Sequence, residues 1–187
     1  MPAPRVILGV SAYYHDAAAA LLTEGRLVAA AQEERFSRIK NDPGFPTRAI
    51  EFCLNRAGFG PDQVDAVVFY DKPMLKFTRL LETFLATAPR GLRLFPTAMS
   101  DWLGQKLDLR KTIRASLPGL RPECQILFTE HHQAHAASAF YPSPFDQATI
   151  LTVDGVGEWS TTTIAAGDRS QIKLLEEIRF PHSLGLL

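Results

Sequence analysis

"RVILGVSAYYHDAAAALLTEGRLVAAAQEE", Arg5 to Glu34, is the stretch that decides the fold. It opens on a short apolar run rich in β-branched residues, "RVILGVSA", which reads as a buried strand. "YYHD" interrupts it, "AAAALLTEG" resumes an apolar course to a turn at Glu24-Gly25, and "RLVAAAQEE" follows. Alanine is a poor strand former, so the second and third strands rest on run length and turn spacing rather than on propensity. Three short apolar runs with tight links predict an antiparallel meander.

The plan returns further along the chain. "TILTVDGVGEWSTTTIAAG" (Thr149 to Gly167) has the layout of "VILGVSAYYHDAAAALLTEG" (Val6 to Gly25): an apolar strand, a polar turn carrying an aspartate, a second strand, then glycine. "QIKLLEEIRF" supplies a third strand, as "RLVAAAQEE" does in the first copy. The likeness lies in pattern more than in identities. It divides the chain into a first lobe, residues 1–146, and the opening strands of a second, 147–187. "PHSLGLL" then reads as a helix barely begun. Three strands ending there leave a sheet edge without cover, so the chain is expected to be a piece of something longer.

Between the two meanders the sequence alternates helices and strands. "FPTRAIEFCLNRAGF" is helical: Pro46 suits a first turn, and Ala49, Ile50, Cys53, Leu54 and Ala57 recur at helical spacing before Gly58. "VDAVVFYD" (Val64 to Asp71) is a strand. Phe77, Leu80, Leu81, Phe84 and Leu85 mark one face of a second helix, ending near Pro89-Arg90-Gly91, and a third is expected over Ala98 to Leu117. The apolar stripe from Met74 to Leu107 reads as core helix and needs no cofactor to explain it. "QILFT" is a strand that leads straight into "EHHQAHAASAF". "EERFSRIKNDPGFP" (Glu33 to Pro46) mixes both charges with Pro and Gly and reads as a loop.

Composition sets the outer limits. The chain has 187 residues, 46% hydrophobic and 21% charged, typical of a globular domain with its own core. Formal net charge is zero, which gives no general affinity for nucleic acid or for an anionic membrane, so neither is an expected partner. No stretch approaches the roughly 20 apolar residues of a membrane helix, and the N-terminus has no leader pattern. Cys53 and Cys124 match no metal or redox spacing and read as buried free thiols. A cytoplasmic protein is expected.

His131 and His135, four apart, fall on one face of a helix with Cβ atoms about 6 Å apart, which is ligand spacing for a transition metal; a surface cluster is the plainer alternative. Thr129 is the expected N-cap, and His132 points elsewhere as a solvated or capping residue. A third ligand is needed. Asp154 in "VDGVGE" sits at a strand end before Gly155 and Gly157, which let the backbone approach a ligand and offer N–H groups to an anion. An ordinary hairpin turn explains the same residues. Iron, zinc and manganese all suit such donors. His15 and Asp16 hold the matching place in the first meander, as a base and an anion or hydroxyl contact, with either able to be the base, or as a plain polar turn. Arg35, Arg38 and Lys40 could hold a phosphate or carboxylate, although a solvated loop is the simpler assignment.

Taken in order, "GVSAYYHDAAAAL", "EERFSRIK", "HHQAHAASAF", "VDGVGEWST" and "FPHSLGLL" closely resemble the N-terminal part of the nodulation- and antibiotic-type O-carbamoyltransferases, over essentially the whole chain. That family is similar in turn to the tRNA threonylcarbamoyl-transferase. The resemblance implies an α/β fold of the actin-like ATPase (ribonuclease H-like) class, a mixed sheet with flanking helices, the second lobe only begun. It implies carbamoyl phosphate and ATP as sources of a carbamoyl adenylate, made by a separate synthase-like domain. A hydroxyl of a small molecule, such as a sugar or an antibiotic, is the implied acceptor. It implies a metal beside the nucleotide, usually iron, with His131, His135 and Asp154 among its ligands and a further aspartate beyond residue 187. His15 and Asp16 resemble the active-site turn. The synthase-like domain and the rest of the second lobe are missing, so the chain alone is expected not to complete the reaction. A tRNA-modifying relative and a non-catalytic metal- or nucleotide-binding partner subunit are the alternatives.

Overall fold

The computed structural model describes residues 5–88 and 109–187. The chain divides into two compact units, with boundaries between Tyr70 and Asp71 and between Phe128 and Thr129. The first contains β1 (Val6–Ser11), β2 (Ala18–Thr23), β3 (Arg26–Gln32), a single helical turn α1 (Glu34–Ser37), α2 (Thr47–Ala57), a 3₁₀ turn (Pro61–Gln63) and β4 (Ala66–Phe69). The second opens with α3 (Pro73–Thr87); the chain then returns to the first for α4 (Leu109–Ser116) and β5 (Gln125–Phe128). The second resumes with α5 (His131–Phe140), β6 (Gln147–Val153), β7 (Ser160–Asp168) and β8 (Gln171–Arg179).

The sheet of the first unit runs β3-β2-β1-β4-β5. β1, β2 and β3 form the expected antiparallel meander, with Val6 opposite Thr23 and Ser11 opposite Ala18. β4 joins parallel to β1, and β5 parallel to β4, each after a helical crossover. This mixed sheet with flanking helices is the α/β class anticipated from the sequence. Its core holds Val6, Leu8 and Val10 from β1, Leu21 from β2, Ile50, Cys53 and Leu54 from α2, and Ile113 from α4. The alanines of β2 and β3 are placed by packing: their small side chains let α2 lie close, and Cys53 Sγ comes within 3.6 Å of the Ala19 carbonyl. Tertiary contact thus overrides weak strand propensity.

Helix α2 starts at Thr47, with Pro46 in the preceding cap position and no local side chain closing the end. The orphan amides are met from elsewhere. Glu33, 5% exposed, accepts hydrogen bonds from Arg48 N at 3.3 Å and Ala49 N at 2.8 Å. Its own N–H donates to the Ala17 carbonyl at 2.7 Å. The segment expected to be a loop therefore begins with a buried acid and a helical turn. At the far end, Gly58 (φ 72°) takes the left-handed conformation that stops the helix, as expected.

The second sheet, β6-β7-β8, is an antiparallel meander, pairing Val153 with Thr162 and Asp168 with Gln171. α5 packs against it through Ala136 and Phe140, which meet Ile150 and Ala165. Gly167 has to be glycine, because a Cβ there would meet the Phe140 ring at 2.6 Å. Two expectations are corrected. "PHSLGLL" forms turns and no helix: its backbone is engaged with the meander, where Thr161 Oγ1 donates to the His182 carbonyl at 2.7 Å. The stripe on α3 is half-buried rather than core, and Leu85 is exposed. The expected helix over Ala98 to Leu117 is seen from Leu109; its earlier part, and the turn near Pro89-Arg90-Gly91, lie outside the described residues.

Glu33→Ala is expected to destabilise the protein by about 1–3 kcal/mol, leaving two helix amides without an acceptor. Urea unfolding followed by circular dichroism reads this out, and Glu33→Gln, which keeps one acceptor, should lose less.

Candidate metal centre

α5 begins directly after β5, and its first and fifth residues are His131 and His135. Helical spacing sets both imidazoles on one face, with ring centroids 4.6 Å apart. β6 ends at Val153, and the next residue, Asp154, is brought to the same place. His131 Nε2 lies 2.8 Å from Asp154 Oδ2 and 3.0 Å from His135 Nε2, while His135 Nε2 lies 4.0 Å from Asp154 Oδ2. The three offer one ligand atom each within 4.8 Å of one another. Ligand atoms each about 2.0–2.2 Å from one ion are about 3–3.5 Å from each other; the 3.0 Å pair meets that spacing, the 2.8 Å pair is slightly tighter, and the 4.0 Å pair would have to close by about half an ångström around a small divalent cation.

The local electrostatics suit that role. Burial, and then the neighbouring His135, hold the His131 imidazole below the usual histidine range, so its nitrogens stay uncharged near neutrality. Burial raises the Asp154 carboxyl, but the Gly155 N–H and the nearby histidines outweigh it and bring it below the usual range. A neutral imidazole and an ionised carboxylate are the states that ligate.

The glycines of this turn are engaged within the fold. Gly155 N donates to Asp154 Oδ1 at 2.7 Å and Gly157 N to the Ser160 carbonyl at 3.1 Å. Gly157 lies against His132, where a Cβ would come within 2.9 Å of the ring. His132 is a correction: it is buried, not solvated, and its Nδ1 sits 2.6 Å from Thr152 Oγ1, which is 2.6 Å from Thr163 Oγ1.

The N-cap expectation is also corrected. Glu130, not Thr129, precedes the first turn of α5, and it makes no capping bond. Thr129 Oγ1 instead donates to Gln133 Oε1 at 3.3 Å. The acceptor is Glu158, a residue the sequence reading did not single out. Its carboxyl takes His131 N at 2.9 and 3.0 Å and Lys72 N, at the start of α3, at 2.8 Å. It is 5% exposed, beside Asp71, itself 4% exposed. Burial, then the Asp71 hydrogen bond, raise the Glu158 carboxyl to about 7. Burial also raises Asp71, but its hydrogen bond with Glu158 and the Lys76 ammonium, 3.2 Å away, outweigh this and leave it below the usual range. Glu158 therefore holds the proton the two share. A lone acid between Gly157 and Trp159, at the head of a threonine-rich strand, is the signal in the sequence that points to it.

In the other unit, His15 and Asp16 occupy the β1–β2 turn. His15 Nδ1 lies 2.7 Å from Asp16 Oδ2, with His15 exposed and Asp16 half-buried. Tyr13 (φ 66°) and Asp16 (φ 54°) are left-handed without being glycine. Tyr13 N and Ala17 N donate to the Pro43 and Asp42 carbonyls, which pins the turn. Arg35 points to solvent with Glu34 Oε1 at 3.6 Å, and Arg38 and Lys40 are exposed.

The sequence profile of the family described as carbamoyltransferase N-terminus matches residues 6–187, and the chain belongs to that family. It is 56% identical to the uncharacterized protein sll1178 of Synechocystis sp., an alignment covering 97% of this chain and 30% of that protein. It is 34% identical to the nodulation protein NolNO of Sinorhizobium fredii, covering 94% of this chain and 24% of that one. The chain thus spans less than a third of the length of these relatives. Among solved structures, YeaZ from Pseudomonas aeruginosa aligns with 15% identity and a TM-score of 0.45, over 95% of this chain and 68% of that one; so loose an alignment adds nothing to the fold read from strand order. Among the described residues no helix is long and apolar enough to cross a membrane.

The Glu158 shift has a sign that can be tested. A carboxyl raised from 4.5 to about 7 contributes stability that is present below pH 4.5 and lost as pH rises to 7. Glu158→Gln keeps the hydrogen-bonded shape without titrating. Relative to wild type it should therefore gain stability between about pH 5 and pH 7, as read by urea midpoints across that range. A constant difference between the two proteins would contradict the assignment.

Proposed function

We propose that this chain is the N-terminal part of an O-carbamoyltransferase that moves a carbamoyl group from carbamoyl adenylate to a hydroxyl of a small molecule. The adenylate is made from carbamoyl phosphate and ATP elsewhere in the same protein. The observation that carries this reading is the convergence of His131, His135 and Asp154 in a chain of the carbamoyltransferase family. These residues would hold a divalent metal, iron in our reading, which supplies positive charge next to the nucleotide phosphates. The two meanders, β1–β3 and β6–β8, then open the first and second lobes of an actin-like ATPase domain, with α5 packed on the second. The setting is the cytoplasm, where free buried thiols such as Cys53 and Cys124 persist.

In the transfer step the acceptor oxygen bonds to the carbamoyl carbon, the bond from that carbon to the adenylate phosphate oxygen breaks, and the hydroxyl proton goes to a base. We assign the base to His15. Asp16 Oδ2, 2.7 Å from His15 Nδ1, favours the tautomer that carries its proton on Nδ1 and leaves Nε2 to accept one. Asp16 orients the ring and balances the imidazolium that forms.

In the intact protein, His135→Ala is expected to abolish carbamoyl transfer while leaving adenylate formation intact. Following pyrophosphate release and carbamoylated product separately, with carbamoyl phosphate, ATP and candidate hydroxyl acceptors, tests this. Loss of both activities in a folded variant would count against the proposed division of labour. His15→Ala should lower transfer by about 10²–10⁴-fold, and Asp16→Asn by less.

A further inference from the structure

We propose that Glu158 is the positioning residue of the metal centre, a brace that fixes His131 by closing the N-termini of α3 and α5 with one side chain. The inference rests on the reading of His131, His135 and Asp154 as a metal site. Four backbone amides at the start of a helix have no partner within it. In α5 the first of them belongs to His131, the same residue whose Nε2 faces Asp154. Glu158 takes that amide with both carboxyl oxygens, and through Oε1 it also takes Lys72 N, the cap position of α3.

The surroundings make this brace stiff. Glu158 lies in the β6–β7 turn that also presents Asp154, so one short turn provides a ligand and holds the backbone of a second. Arg79 of α3 donates to the carbonyl of Gly157, next to Glu158 in the chain. Lys72 Nζ pairs with Glu130 Oε1 at 2.9 Å, which ties the residue before α3 to the residue before α5. The first amide of α5 is thus capped by a side chain of another element and by no local one.

The two amides meet a single oxygen, so an uncharged amide side chain of the same length can serve them. An aspartate, shorter by one methylene, cannot reach both. Cobalt(II) is the probe, because its d–d spectrum reports ligand geometry directly. The intact protein is stripped of metal and titrated with cobalt in competition with a chromophoric chelator, and its melting is recorded in parallel. Glu158→Ala is expected to weaken cobalt binding by about 10–100-fold and to alter the visible spectrum. Glu158→Asp should follow the alanine variant, and Glu158→Gln should restore both affinity and spectrum. Unchanged cobalt affinity in a folded Glu158→Ala protein would overturn the positioning role and leave an ordinary helix cap. If the alanine variant does not fold, the other two decide: a folded Glu158→Gln that binds cobalt no better than Glu158→Asp overturns the proposal. A wild-type protein that takes up no cobalt overturns the metal reading itself, and this inference with it.

Discussion

The second unit depends on how the first turn of α5 is closed. A helix end presents unpaired amides, and leaving them buried without acceptors costs free energy of the order of a lost hydrogen bond for each. Here the acceptor is a carboxyl contributed by a turn between two strands, and the same carboxyl serves the start of α3. Two helices and a hairpin are thus fastened at one point. The first unit uses the same device, with Glu33 closing α2 from the end of β3. In both units a buried acid does what a local serine or aspartate does in most helices.

This device explains where sequence reading succeeded and where it fell short. Apolar runs and their turns located β1 to β3, β4, β5 and the later meander, because burial on a sheet face imposes a short-range period. Helical spacing located α2 and the face shared by His131 and His135 for the same reason. The cap of α5 was placed on Thr129 because local capping rules look only at neighbouring residues. The actual partner, Glu158, is remote in sequence, and no periodicity carries that information. His132 failed similarly: its neighbours in sequence are polar, while its neighbours in space are Thr152, Thr163 and Gly157.

The geometry of the candidate centre was legible in proportion to how local it is. The histidine pair follows from one helix. Asp154 required the extra idea that a strand end followed by glycines presents its side chain at a sheet margin, and the fold sets it 2.8 Å from His131. Glu158 carries a faint local signal as a lone acid between Gly157 and Trp159, but its pairing with Asp71 is not legible, because their significance lies in mutual proximity. Two carboxyls side by side with little solvent must share a proton, and that property belongs to the pair, not to either residue. The sequence offers two readings of Gly155 and Gly157, anion-binding amides or an ordinary hairpin turn. In the fold their N–H groups close the turn and fix Asp154.

One late segment has a reach that its position in the chain disguises. Ser183 Oγ donates to the Asp154 carbonyl at 3.3 Å and the Gly155 carbonyl at 2.7 Å, and Gly185 sits so close to the Asp154 backbone that no Cβ fits. The backbone of Asp154 is thus held by residues that follow β8, while its carboxylate is held by the Gly155 amide of its own hairpin. The placement of Asp154, the residue after β6, is therefore set in part by chain laid down after the sheet is complete. A methyl group added at residue 185 would be felt at the oxygen facing His131.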